Sequence, residues 1–324
     1  MGKTRLKSVS RTQGNNRALK DGEIDLPDFE LDFEEVPVLV QGFRRMVREL
    51  AYDVCEMAIT TYICARAHDV RFTALPIFLV RDFHHGAIQH HVPSGLTSPK
   101  ELAGKHVGVK RGYTVTTGVW ARSIIQDEYE VDLSSITWRP SGDEHVEDYI
   151  APPNVQPMGD GDLEGRLSSG DLVAAVGTQA DHPHIAPMIE DPFGAGIAAL
   201  KSRGLYPINH CIVVRDEVLE EYPDVAIQVF NAFAASKQRY VKGLKGSSGL
   251  GRPDADTLPL TVMEVMDDPL LWQIASRRAI EAFDAGKAKG VRFSFSDPVR
   301  YLKDFGSKMP GARPSMLLDL KAQR

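Results

Sequence analysis

The hydrophobic pattern of this chain switches repeatedly between a period of two and a period near 3.6, and each switch predicts a strand giving way to a helix. Residues 4–10 read as an opening strand and FELDFEEV (29–36) as a second, with the polar turn RTQGNNRALKDG between them. In QGFRRMVRELAYD, Phe43, Met46, Val47 and Leu50 recur at helical spacing, so one face packs inward. VCEMAI (54–59) reads as a buried strand ending in the polar-rich TTYICAR. The same grammar returns in LEGRLSSGDLVAAVGTQADHPH, with a helix, a Gly-Asp turn, an apolar strand and then polar residues. That rhyme predicts corresponding βα units in two similar lobes.

Between them lies PIFLVRDFHHGAIQHH (76–91), whose last eight residues hold four of the ten histidines. Read as extended from His84 onward, it sets His84, Ile88 and His90 on one face and His85, Gln89 and His91 on the other. The expectation is a strand crossing between lobes that presents Arg81 and His85 to the gap. The bland alternative is a half-exposed edge strand whose imidazoles meet solvent. His84 and His90 stand about 20 Å apart along such a strand, too far to share a metal ion within it.

Further on, SPKEL carries the capping-box pair Ser98 and Glu101, KHVGVK reads as a strand, and a helix begins near Thr116 and Thr117 with Trp120 and Ile124 behind them. A helix start with hydroxyls, preceded by Arg111 and Tyr113, suits a carboxylate; an ordinary threonine cap is the commoner use of such residues. SITWRPS is a strand and DEHVEDYIAPPN a polar loop, in which Glu144 and His145 read as surface residues. His182 and His184 have a chelating spacing, but Pro183 separates them and no third ligand stands nearby. GLYPINHCIVV is a second crossing strand opened by His210, followed by a helix with Val225, Val229 and Phe233 on one face. The second half of 263–290 reads as helical, and Ser296 with Pro298 as a further helix start.

At 324 residues the chain exceeds one typical core, which supports two lobes. A net charge of −6 argues against nucleic acid as the main partner. Three scattered cysteines point to reduced thiols rather than a disulfide frame. The basic N-terminus lacks an apolar h-region, and no stretch reaches the length of a membrane span, so the expectation is a cytoplasmic protein without membrane contact. Walker, GxGxxG, GxSxG and paired CxxC signatures are missing. Glu56, alone in an apolar strand, is either a cleft carboxylate or the partner of an arginine; Arg11 and Arg17 in the first turn are ligand candidates, with solvated surface arginines the commoner case.

Two βα lobes joined by two strand crossings resemble the type II periplasmic-binding-protein fold, an α/β architecture with the crossings as hinge. The order of motifs is similar to that of 4,5-dihydroxyphthalate decarboxylases. It comprises the Asp-Val-x-Glu strand within Tyr52–Met57, the Arg-x-Phe-x-His segment of Arg81, Phe83 and His85, and Pro207-Ile208-x-His210 leading to Val213–Glu217. His84 departs from the basic residue usual there, and Pro269-Leu270-Leu271-Trp272 replaces a Trp-Pro-Tyr-Gly-like segment. The resemblance implies lobes made of residues 1–88 with 206–324 and of 89–205. It also implies a carboxy-lyase acting on a hydroxylated aromatic dicarboxylate such as 4,5-dihydroxyphthalate, giving a hydroxybenzoate such as protocatechuate.

In that scheme His85 and His210 move protons, Glu56 orients one of them, and Arg81, Arg11, Tyr113, Thr116 and Thr117 hold the substrate. No metal or organic cofactor is required. The partner is a small aromatic carboxylate, and homo-oligomer formation is left open. The alternative is a solute-binding protein that closes on a small carboxylate without chemistry.

Overall fold

The computed structural model describes residues 2–159, 161–246, 256–266 and 269. The chain starts with β1 (Thr4–Val9), α1 (Arg17–Lys20), β2 (Phe29–Phe33), α2 (Leu39–Glu49), β3 (Val54–Ala58), α3 (Ile59–Ala67) and β4 (Phe72–Arg81). It crosses to β5 (Ile88–His91), β6 (His106–Val109), α4 (Thr116–Tyr129), β7 (Thr137–Pro140), α5 (Leu163–Ser169), β8 (Ala174–Val176), β9 (Ile185–Pro187) and α6 (Pro192–Arg203). It returns through β10 (Ile208–Arg215), α7 (Asp216–Glu221), α8 (Val225–Gly246) and α9 (Thr257–Met263).

Among the described residues these strands make two sheets of the same design, ordered β2-β1-β3-β10-β4 and β7-β6-β8-β5-β9. In each, four strands run in one direction, and a strand that follows a crossing inserts antiparallel: β10 between β3 and β4, β5 between β8 and β9. This is the α/β, two-lobed arrangement expected from the repeated βα grammar. The connections 82–87 and 204–207 carry the chain between the sheets.

Side-chain alternation builds a core on each face of the first sheet. Val54, Ile212 and Val214 pack with Val225, Val229 and Phe233 of α8, while Cys55, Met57, Cys211 and Val213 pack with Phe43, Met46 and Val47 of α2. In the second sheet Val107, Val109, Ala174 and Val176 meet Ile124 and Ile125 of α4, and Ala175 faces Leu163 and Leu167 of α5. The cysteines are free, and Cys55 and Cys211 are buried.

Several local expectations change. Leu50 is the left-handed C-cap of α2 (φ 51°) rather than its last turn, yet it still packs on the same core. TTYICAR belongs to α3, so the polar groups after β3 open a helix. The extended reading from His84 fails because the Ala87 N–H donates to the His84 carbonyl at 3.1 Å, turning His85–Ala87 into a 3-10 turn. Ser98 and Glu101 do form their reciprocal cap, on a 3-10 turn over Pro99–Leu102. The helices expected in the second half of 263–290 and at Ser296, and the segment Leu270–Trp272, lie outside the described residues. Among those described, no helix is long and apolar enough to cross a membrane.

Candidate active site

A buried carboxylate organises the first sheet's end of the cleft. Glu56 stands in β3, whose five residues are all buried, and its own exposure is 0 %. Its Cα partner across the ladder is Ile212, so His210, two residues earlier on β10, lies diagonally across on the same face. The His210 Nδ1 sits 2.7 Å from one carboxylate oxygen, which also accepts from Gln13 Nε2 at 3.2 Å. The other oxygen accepts from the Ser10 hydroxyl at 2.7 Å and the Arg11 amide at 3.0 Å.

The turn after β1 is shaped to supply these donors. Asn16, fully buried, ties Ser10 Oγ and the Arg11 carbonyl together at 2.9 Å each. Burial pulls the Glu56 carboxyl upward, but the hydrogen bond and charge of His210, with Ser10 and Arg11 adding to them, outweigh it and hold the group below its ordinary value. An ionised carboxylate only accepts, so His210 carries its proton on Nδ1 and keeps Nε2 for the cavity.

That cavity, of about 380 Å³, is walled by both sheets' connections. Arg11, Asn209 and His210 come from the first sheet's side; Arg111, Thr116, Thr117 and His145 come from the second. Phe43, Leu39 and Val115 make an apolar flank, and the Phe43 ring meets His210 edge-on at 5.2 Å. No ion pair among the described residues engages the guanidinium of Arg11 or Arg111. Arg111 adopts φ 66°, a left-handed backbone that non-glycine residues enter at some cost, and its amide donates to Ser141 Oγ at 3.0 Å. The Thr116 hydroxyl is 2.7 Å from that of Thr60 at the start of α3, so the N-termini of α3 and α4 meet at the cleft.

A segment following β7 folds across to the other sheet. Arg44 pairs with Asp143, and Arg48 reaches Asp143 at 3.1 Å, Glu147 at 3.0 Å and the Glu144 carbonyl at 2.9 Å. Glu144 turns back to accept from the Tyr113 and Thr114 amides. Gly112 makes that approach feasible, since a Cβ there would stand 2.6 Å from the Glu144 carboxylate. Glu144 and His145 are therefore not the surface residues expected. His145 is 2 % exposed, with Nδ1 2.8 Å from the Thr61 hydroxyl and Nε2 buried without a partner among the described residues. Burial, reinforced by the positive charges of Arg44 and Arg111, pushes its imidazole down to about 4.

Three residues expected at the site lie elsewhere. The His85 ring, 1 % exposed, has Nε2 3.1 Å from both oxygens of Glu128, which also pairs with Arg203. Glu128 is twelve residues along α4 from Thr116, about 18 Å of helix, so His85 is braced against the far end of the element whose start lines the cavity. Arg81 donates twice to the Tyr206 carbonyl, at 2.6 and 3.2 Å, and stacks 4.7 Å above that ring, bracing the second crossing. Tyr113 lies under the buried guanidinium of Arg122 at 3.7 Å and packs toward Trp138, inside the second lobe. Glu56, His210, Arg11, Thr116 and Thr117 do converge on the cleft.

Arg111, expected beside the helix start, joins them on the wall, and His145 and Asn209 do so unanticipated. Nothing in the local pattern marks His145; only the neighbourhood of Arg111 and the Pro-Ile-x-His context of Asn209 gave a signal. His84 supports Asn209 from behind, with Nε2 2.7 Å from its side-chain oxygen. Among the described residues, no group of three His, Cys, Asp or Glu side chains is placed to hold a metal ion, so His182 and His184 gain no third ligand.

Comparison with known proteins places the chain among relatives of one activity. It is 30% identical over 263 residues to a 4,5-dihydroxyphthalate decarboxylase of Comamonas testosteroni, covering 73% of this chain and 76% of the relative. A protein of the same name from Pseudomonas putida is 31% identical over 199 residues, covering 55% of this chain and 74% of its own. A Candida albicans gene product, described as exhibiting the generic periplasmic binding protein structural fold, superposes with a TM-score of 0.50 at 14% identity, over 92% of this chain and 93% of that one. That likeness concerns the fold alone. Residues 257–324 match a family model described as ketopantoate reductase PanE/ApbA C terminal.

Proposed function

The chain belongs to the 4,5-dihydroxyphthalate decarboxylase family, and from that premise we propose that it removes CO2 from a hydroxylated aromatic dicarboxylate, 4,5-dihydroxyphthalate being the model substrate and protocatechuate its product. It is an enzyme of the carboxy-lyase class. The observation that carries the finer reading is His210 on the cavity wall, backed by the buried Glu56, beside Arg11 and Arg111, which have no ion pair among the described residues.

The chemistry follows from that arrangement. Electron density from the ring hydroxyl para to the departing carboxylate flows toward the carbon that bears it. The protonated Nε2 of His210 delivers a proton to that carbon, the C–CO2 bond breaks with its electron pair returning to the ring, and aromaticity is restored. Glu56 holds the imidazole in one orientation and stabilises its charged form through the Nδ1 hydrogen bond. Solvent resupplies the proton.

Arg111 and the amides opening α4 at Thr116 and Thr117 hold the carboxylate that stays, and Arg11 aligns the ring from the opposite lobe. The leaving carboxylate must shed charge, which the flank of Phe43 and Leu39 favours. His85, Arg81 and Tyr113 brace the crossings and the second lobe. We carry forward the division into residues 1–88 with 206–324 and 89–205 as the two bodies flanking the cleft, and a cytoplasmic setting suited to the free thiols.

Purified protein incubated with 4,5-dihydroxyphthalate in D2O tests this reading. Protocatechuate should appear with one deuterium on the ring carbon that lost CO2, and His210→Ala should lower kcat at least a hundredfold with little change in KM. Substrate bound but recovered intact from pH 6 to 8 would leave the solute-binding alternative. That alternative shares the cationic contacts and gives the buried Glu56–His210 pair no work.

A further inference from the structure

His145 lines the cavity on the second sheet's side and has no role in the chemistry described above. It rides on the segment 141–147, which Arg44 and Arg48 of α2 clamp from the opposite sheet, and it lines the same cavity as His210. Its Nδ1 is already engaged by Thr61 Oγ1 at 2.8 Å. Its Nε2 is buried with no partner among the described residues, and a buried polar atom left unpaired is destabilising. The ring lines the cavity, so a bound ligand that displaces the wall covering Nε2 would supply the missing partner atom.

The chemistry of that atom can be narrowed. Arg44 and Arg111 bring positive charge to His145, and burial acts in the same direction, so the ring is neutral at neutral pH. A neutral imidazole hydrogen-bonded to a hydroxyl exists in either tautomer, and Nε2 is then a donor or an acceptor. A carboxylate satisfies only the first case, whereas a hydroxyl, both donor and acceptor, satisfies each. The cations Arg11 and Arg111 already suit the carboxylates.

We propose that His145 is a substrate contact that recognises a ring hydroxyl, so that this cavity selects hydroxylated aromatic dicarboxylates over their unhydroxylated counterparts. The proposal rests on the decarboxylase reading of the same cavity and names the residue that reads the hydroxyl.

Calorimetric titration of the full chain with 4,5-dihydroxyphthalate and with phthalate tests it. Wild-type protein should bind the hydroxylated acid at least tenfold more tightly. His145→Ala and His145→Phe should each shrink that preference to threefold or less while leaving phthalate affinity within twofold, and His145→Gln, which keeps a hydrogen-bonding amide, should retain part of it. Should the alanine variant fail to fold, the phenylalanine variant preserves the ring's packing and carries the comparison. Equal weakening of both ligands, or of neither, overturns the role of His145 and leaves the decarboxylase reading standing. Failure of wild-type protein to bind either acid overturns both.

Discussion

Replacing Glu56 by glutamine exchanges one carboxylate oxygen for an NH2 group in a site built entirely of donors. One oxygen receives Ser10 and the Arg11 amide, the other Gln13 and His210. The backbone N–H of Arg11 cannot reverse its role, so the glutamine oxygen must face that side and its NH2 must face His210. Ser10 keeps its donor bond to the oxygen, Gln13 flips, and His210 accommodates by moving its proton to Nε2, which changes the group presented to the cavity.

Two effects then act on turnover: Nε2 carries its proton on a neutral ring, a far weaker acid than the imidazolium, and the charged imidazolium loses its counter-ion. Opposite unit charges about 4 Å apart interact by about 4 kcal/mol at an effective dielectric of 20, which corresponds to about a thousandfold. We expect kcat to fall by about 10²–10³ with KM within threefold. Stability should change by less than about 2 kcal/mol, because relief from burying a charge offsets weaker hydrogen bonds. Protocatechuate formation followed by chromatography, paired with thermal unfolding, reads both quantities. Glu56→Ala, which leaves the donors unmet, should instead destabilise by about 3–5 kcal/mol. A Glu56→Gln enzyme that folds and keeps more than a third of wild-type kcat would refute the assignment.

Two other outcomes follow from the same geometry. His85→Gln should keep kcat within about threefold, because His85 braces Glu128 rather than the cavity; a hundredfold loss at an unchanged unfolding midpoint would return it to the chemistry. Stability should also fall on acidification from pH 6.5 to 5. His84 and His145 are both pushed down from 6.5 to about 4, chiefly by burial, so the unfolded chain takes up protons that the folded one refuses. Each contributes stability that is complete above pH 6.5 and loses about 2 kcal/mol by pH 5. Chemical denaturation at the two pH values should show the drop, and His145→Phe should remove about half of it; a flat profile would contradict the burial of both rings as neutral species.

Much of the architecture was legible along the chain because a strand or helix records its own buried face in its own period. The repeated βα units, the two crossings and the carboxylate alone in VCEMAI were readable for that reason. An isolated Glu in an apolar strand needs partners, and the family resemblance implied that one is a histidine without saying whether His85 or His210. The Thr116–Thr117 helix start was legible on equally local grounds.

Which side chains meet across the cleft is decided by contacts that no local period encodes. The ladder register of β10 on β3 aligns Ile212 with Glu56 and so brings His210 beside it, across 154 positions of sequence. A turn at His85–Ala87, formed where an extended strand was expected, turns His85 toward Glu128 and away from the cavity. Salt bridges from α2 pull a polar loop over the opening and convert His145 from an apparent surface residue into a buried wall residue. Local pattern sets the elements and the chemistry each can offer, whereas long-range pairing selects which of those groups share one cavity.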